Sequence, residues 1–77
     1  MISQRLKAVI LKELGLEDFD LHDEILANQV PGWDSLSHIR ILTAIENEYK
    51  ITFRILEIMK LKKLGDLQFL IDSKTSQ

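Results

Sequence analysis

Gly32-Trp33-Asp34-Ser35-Leu36-Ser37-His38-Ile39-Arg40-Ile41-Leu42-Thr43-Ala44-Ile45-Glu46-Asn47-Glu48-Tyr49 carries the most regular helical pattern of the chain. At about 100° per residue, Leu42, Ile45 and Tyr49 share one face, with Ile41 beside them. That spacing predicts a helix from about Asp34 or Ser35 to Tyr49. Val30-Pro31-Gly32 before it reads as a turn: proline fixes one dihedral and glycine relaxes the next. Either Asp34 or Ser35 has the chemistry of a helix cap, accepting a bond from a free backbone N–H. Asp34 is expected to take that role. Ser35 is then the first helical residue, with its hydroxyl free at the positive end of the helix dipole.

Outward from this segment the chain reads as helical on both sides. Leu6, Val9, Ile10 and Leu14 fall at helical spacing and predict a first helix from about Ile2 to Leu14. Gly15 is its natural stop. Residues 16–33 have no steady period, and Leu16, Phe19, Leu21, Ile25 and Leu26 are spaced like anchors that pin a long loop onto the core. Past Tyr49, Lys50 and Ile51 offer no strong cap. A short helix is expected around Ile55 to Met59, and a last one from about Leu64 to Asp72 with Leu64, Leu67, Leu70 and Ile71 inward. Residues 73–77 read as a frayed tail. The fold class expected is all-α: a small antiparallel bundle of three main helices plus one short helix, with a long loop between the first and second. Residues 1–77 are expected to form a single domain.

Composition narrows the function. There is no cysteine, so the chain has no disulfide, thiolate metal site or thiol nucleophile of its own. The net charge of −2 argues against nucleic acid as a partner. No apolar run approaches membrane-spanning length, and the first residues, broken by Arg5, Lys7, Lys12 and Glu13, do not read as a signal peptide. A soluble, cytoplasmic monomer without stable membrane insertion is expected. Charge is distributed unevenly: residues 17–34 hold Glu17, Asp18, Asp20, Asp23, Glu24 and Asp34 with no Lys or Arg, while the C-terminal part is mildly basic.

On the helical wheel Leu36 points away from the core direction and Ile39 lies on the flank, with Arg40, Thr43 and Asn47 on the same outer side. Two apolar residues facing solvent beside Ser35, rimmed by polar groups, suggest a docking surface. Other constellations are weaker. Ser35 and His38 are spaced as a dyad would be, but no Gly-x-Ser-x-Gly elbow or orienting carboxylate accompanies them, and His38 points toward the core side. Asp18, Asp20, His22, Asp23 and Glu24 fail the calcium-loop pattern, with His22 where Asp or Asn is wanted and Asp23 where Gly is needed; no metal site is assigned. Lys60, Lys62 and Lys63 lie beside Phe53, Ile55, Leu56, Ile58, Met59 and Leu61, which are expected to be core and cavity lining rather than a membrane-surface helix. Phe69 falls off the inward face of the last helix.

Taken together, Gly32-Trp33-Asp34-Ser35-Leu36, His38-Ile39, Leu42, Ala44-Ile45-Glu46-Asn47-Glu48-Tyr49 and Leu64-Gly65-Asp66-Leu67 resemble the acyl carrier protein family, including its peptidyl-carrier relatives, over essentially the whole chain. In that family the serine of the Asp-Ser-Leu motif carries a 4′-phosphopantetheine arm drawn from coenzyme A. The resemblance therefore implies that Ser35 is the attachment site, with Asp34 as its motif neighbour. The arm ends in the thiol this chain lacks. The implied function is that of a carrier and not an enzyme. It would hold acyl or aminoacyl groups as thioesters for a lipid (including fatty acid), polyketide or other specialised biosynthetic pathway. The implied partners are a phosphopantetheinyl transferase and the acyl-loading and acyl-transferring enzymes. Leu36 and Ile39 match the family's partner-contacting positions, and Arg40, Thr43, Ile55 and Leu56 extend that candidate surface. An unmodified helical interaction module using the Leu36/Ile39 patch is the alternative.

The departures from the family pattern are specific. The second helix is near neutral, with Arg40 and Lys50 against Glu46 and Glu48, where the family is strongly acidic; this favours dedicated partners. Arg54-Ile55-Leu56-Glu57 stands where a small polar cap and acidic residues are usual, so Ile55 and Leu56 read as added docking surface or as lining for an acyl chain. Lys63 replaces the Ser or Thr cap of the last helix, which predicts fraying there, partly offset by Asp66 in the first turn.

Overall fold

Ser3 sets the start of the first helix. Its hydroxyl accepts from the Leu6 N–H at 3.1 Å, so α1 spans Gln4–Leu14 and begins two residues later than the sequence predicts. Gly15, at φ 70°, turns left-handed and ends it, and the Leu16 N–H returns to the Leu11 carbonyl at 3.0 Å. In this computed structural model, which describes residues 2–75, three further helices follow: α2 Ser35–Tyr49, α3 Ile55–Met59 and α4 Leu64–Thr75. A 3₁₀ turn, Ala27–Gln29, lies within the long loop. Among the described residues the fold is all-α with no strand, as the sequence predicts. Helix α4 continues through 73–75, into the stretch read as a tail, and the Thr75 hydroxyl donates to the Ile71 carbonyl at 2.9 Å. Ser76 and Gln77 of that tail lie outside the described residues.

Leu6 and Ile10 of α1, Ile41 and Ile45 of α2, and Ile71 of α4 are fully buried and form the centre of the core. Helix α1 packs along α2. The register of α1 differs slightly from the wheel: Leu11 is buried, whereas Val9 and Leu14 pack at its margin. Leu21, Ile25 and Val30 anchor the long loop. Leu26 does not; its side chain is 39% exposed, and its backbone does the anchoring instead. The Leu26 N–H donates to Gln29 Oε1 at 2.8 Å, and Leu26 pairs antiparallel with Lys63 in an isolated bridge.

That bridge corrects the expectation for α4. Its start has no Ser or Thr cap, yet its donors are engaged. Asp66 Oδ2 accepts from the N–H groups of Lys62 and Lys63, each at 3.1 Å. The Leu64 N–H donates to Ile25 O and the Gly65 N–H to Asp23 O, both at 3.0 Å. The loop, rather than a cap residue, supplies the missing acceptors, which removes the reason for expecting that end to fray. The end of α2 is corrected likewise. Lys50 adopts φ 58°, a left-handed cap without glycine, and the Ile51 N–H reaches Glu46 O at 3.1 Å. Glu46 Oε2 then accepts from the Phe53 N–H at 2.7 Å, fixing the connection into α3.

Phe53 is buried, and Ile58 and Leu61 pack against the core, as expected. Ile55, Leu56 and Met59 do not; they are 76%, 71% and 73% exposed. A helix of five residues has one inward stripe, and Ile58 occupies it. Gln68, unremarked in the sequence, is buried on α4 and hydrogen-bonded through both its amide oxygen and its amide nitrogen. Its Oε1 accepts from the Ser3 N–H at 2.9 Å and its Nε2 donates to Asp72 Oδ1 at 2.8 Å, tying the start of α1 to α4.

Candidate functional site

The segment into α2 is built by local bonds. Gly32 takes φ 81°, the Trp33 N–H donates to Val30 O at 3.2 Å, and the Asp34 N–H to Gly32 O at 3.1 Å. Asp34 is then extended and caps α2: Oδ1 accepts from the Ser37 N–H at 2.8 Å. The Ser37 backbone N–H, and then the Ser37 hydroxyl, hold the Asp34 carboxyl below the usual carboxylate range. The cap is therefore anionic at neutral pH, at the helix end where negative charge is favoured.

With Asp34 as cap, Ser35 is the first residue of α2. It is exposed, and its hydroxyl makes no hydrogen bond among the described residues. A shallow depression of about 340 Å³, lined by residues 28–34, lies beside it. The group is accessible and sits at the positive end of a fifteen-residue helix.

Ser35 and His38 form no dyad. The Trp33 indole Nε1–H donates to His38 Nδ1 at 3.1 Å, with the ring centroids 6.1 Å apart. An accepting Nδ1 leaves the ring proton on Nε2. His38 is half-buried and hydrogen-bonded, as its wheel position predicts, and it ties Trp33 before the helix to the first turn of α2. Trp33 is the residue of this site that the sequence reading passed over as a partner. Its one clue was an indole donor five positions before a histidine acceptor.

Leu36 and Ile39 are 58% and 62% exposed. Leu36, Ile39, Arg40 and Thr43 fall at i, i+3, i+4 and i+7, one stripe of α2. Ile39, Arg40 and Thr43 line a groove of about 430 Å³ with Glu13, Ala44 and Asn47. Ile55 and Leu56 project from α3 and do not line that groove. The acidic loop is partly neutralised: Asp18 pairs with Lys7 at 3.0 Å and Glu24 with Lys63 at 2.8 Å. Among the described residues no three His, Asp or Glu side chains converge as metal ligands would.

No family model and no curated protein sequence matches the chain. Among solved structures it is similar to a solution NMR structure of holo acyl carrier protein from Geobacter metallireducens. The two are 37% identical, the match covers 92% of this chain and 82% of that one, and the TM-score is 0.87.

Proposed function

We propose that this chain, which belongs to the acyl carrier protein family, carries a 4′-phosphopantetheine arm on Ser35 and presents acyl or aminoacyl thioesters to partner enzymes. The family is one of carriers, not enzymes. One observation carries the assignment: Asp34 supplies the cap, so the adjacent Ser35 hydroxyl is left exposed and unbonded. The residues fit the group. A phosphodiester on Ser35 Oγ lies at the helix end whose dipole favours an anion by about 0.3–1 kcal/mol. The depression along residues 28–34 leaves room at its root. When bound, the arm supplies a terminal thiol that holds the cargo. Attachment forms a bond from Ser35 Oγ to a phosphorus of coenzyme A, with nucleotide as the leaving group and the serine proton passing to the transferase.

Tethering raises the effective concentration of cargo at each docked enzyme, so docking itself is weak and reversible. We assign transferase docking to Leu36, Ile39, Arg40 and Thr43 and to the acidic loop, with Ile55 and Leu56 as further partner contacts. Residues 1–77 act as a single carrier domain in the cytoplasm, serving dedicated enzymes of a lipid, polyketide or other specialised pathway. Intact mass after incubation with coenzyme A, magnesium and a broad-specificity phosphopantetheinyl transferase tests the reading. One arm, mapped to Ser35 and absent from a still-helical Ser35→Ala variant, is the expected result. An arm retained by Ser35→Ala overturns the site assignment, and no mass gain by the folded parent overturns the carrier reading and leaves the α2 stripe as an unmodified interaction surface.

A further inference from the structure

Ser35, Ile39, Thr43 and Asn47 are spaced four apart and form one exposed ridge of α2. At the α-helical rise, the last three stand about 6, 12 and 18 Å along the axis from Ser35. Beside this ridge runs the groove of about 430 Å³ that Ile39, Arg40, Thr43, Ala44 and Asn47 share with Glu13 of α1. A second groove, of about 280 Å³, shares Glu13, Ala44 and Asn47 with the first and continues to Val9, Lys12 and Glu48. Together they make one trough between α1 and α2 that begins a helical turn beyond Ser35.

The side chains along this trough are uncommitted. Arg40, Thr43, Asn47 and Glu13 make no side-chain hydrogen bond or ion pair among the described residues. Ile39 is 62% exposed, and the core takes Ile41, Leu42 and Ile45 from this helix without it. The other grooves are placed differently. The depression along residues 28–34 is lined only by the loop ahead of Ser35, and the groove between α3 and α4 includes no residue of α2.

We propose that the α1–α2 trough is the resting site of the pantetheine arm, held by Ile39, Thr43 and Asn47 with Glu13 on the facing wall. The inference rests on Ser35 being the attachment point. Length supports it. About fourteen bonds separate Ser35 Oγ from the thiol sulfur, and at the reach of an extended backbone they span about 17 Å. The arm therefore ends level with Asn47. The order of its chemistry agrees as well. The two methyl groups of the pantoyl unit come first from the phosphate and the two amides follow; the ridge offers Ile39 first, then the hydroxyl of Thr43 and the amide of Asn47. The hold need only be weak, because a short tether supplies an effective concentration on the order of millimolar. An enzyme that docks on the same stripe displaces the arm, so the thiol end is released where it is needed.

Free pantetheine titrated into the isotope-labelled, unmodified full chain tests the site without any loading of Ser35. Amide shifts should saturate with a Kd on the order of 1 mM, matching what the tether supplies. They should centre on Glu13 and residues 39–48. Thr43→Val with Asn47→Leu should weaken binding about tenfold, the equivalent of two ordinary hydrogen bonds, at an unchanged melting temperature. In the loaded chain the arm carries the only thiol, since the protein has no cysteine. A spin label on that thiol should broaden the amides of Glu13, Asn47 and Glu48 most. No saturable binding, shifts or broadening centred on residues 28–34 or 54–70, or an unchanged affinity in the double variant would overturn the proposal. Loading is read by mass and the trough by the titration, so failure of the carrier reading and failure of this site are separate results.

Discussion

Gly65 is the position where one added methyl group does most harm. A Cβ there would stand 2.9 Å from Asp23 Cβ, 3.0 Å from Asp23 O and 3.2 Å from Asp23 Cα. Two of those atoms are backbone, and the same backbone accepts the Gly65 N–H. Alanine gains about 1 kcal/mol of helix propensity over glycine, but overpacking costs about 1–3 kcal/mol. Gly65→Ala should therefore destabilise the fold by up to about 2 kcal/mol in urea unfolding, with loop 23–26 displaced from α4. A stability equal to the parent's would mean that the loop gives way freely. Ile39 is the opposite kind of residue. At 62% exposure it lends little to the core, so Ile39→Asp should stay within about 0.5 kcal/mol of the parent. It should instead raise the KM of the phosphopantetheinyl transferase, leaving kcat for bound carrier nearly unchanged. Loss of the helical signal in that variant would place Ile39 in the core.

Helix ends divide what the sequence made legible from what it did not. The start of α2 was readable because Asp34 caps through a bond to Ser37, three residues away, and local chemistry needs no tertiary partner. Ser35 was readable for the same reason, as the residue the cap leaves over. The start of α4 was not, because its acceptors come from Asp23 and Ile25, some forty residues earlier. Lys63 was judged as a missing cap when its backbone is already part of the bridge to Leu26. On α3 the inward reading failed for Met59, and Ile55 and Leu56 were left between docking surface and lining, because five residues are too few to establish a period. At the end of α2 the structure uses a left-handed lysine, a conformation that costs L residues about 1–2 kcal/mol. Lys50→Gly removes that strain but enlarges the entropy of the unfolded chain, so a net gain of about 0.5–1 kcal/mol is expected. Thermal unfolding checks it: the midpoint should rise by a few degrees, about 4–8 °C per kcal/mol in a domain of this size. A lowered midpoint would show that the lysine side chain contributes something glycine cannot replace.

Across the whole molecule, carboxylates do the work of caps and ties that a longer chain could assign to core. Asp34 closes α2, Asp66 closes α4, Glu57 holds the Arg54 N–H ahead of α3, and Asp18 pairs with Lys7. Each has its pKa pushed down. For Asp66 the Lys63 N–H is the largest cause, for Glu57 the Arg54 N–H, and for Asp18 the hydrogen bond from Lys7. A carboxyl whose folded pKa lies below its unfolded one stabilises the fold above the unfolded value and ceases to do so as pH falls through the folded one. The ordinary values here are 4.5 for Glu57 and 3.8 for Asp66. Stability contributed by these groups should therefore be level from pH 7 to about 5 and decline below about 4.5, steepening under 3.8. Asp18, Asp34 and Asp66 are exposed and Glu57 is half-buried, so the decline is gradual rather than a sharp acid collapse. Asp66→Asn isolates one contribution. The amide is a weaker acceptor for Lys62 and Lys63 N–H and does not titrate, so the variant should melt below the parent at pH 7. As the parent's own Asp66 protonates, the advantage of the carboxylate disappears, and the two melting curves plotted against pH should converge as the pH falls below 3.8. Parallel curves across that range would mean that Asp66 holds α4 by shape alone, and that the charge at its N-terminus contributes nothing to the tie between the acidic loop and the last helix.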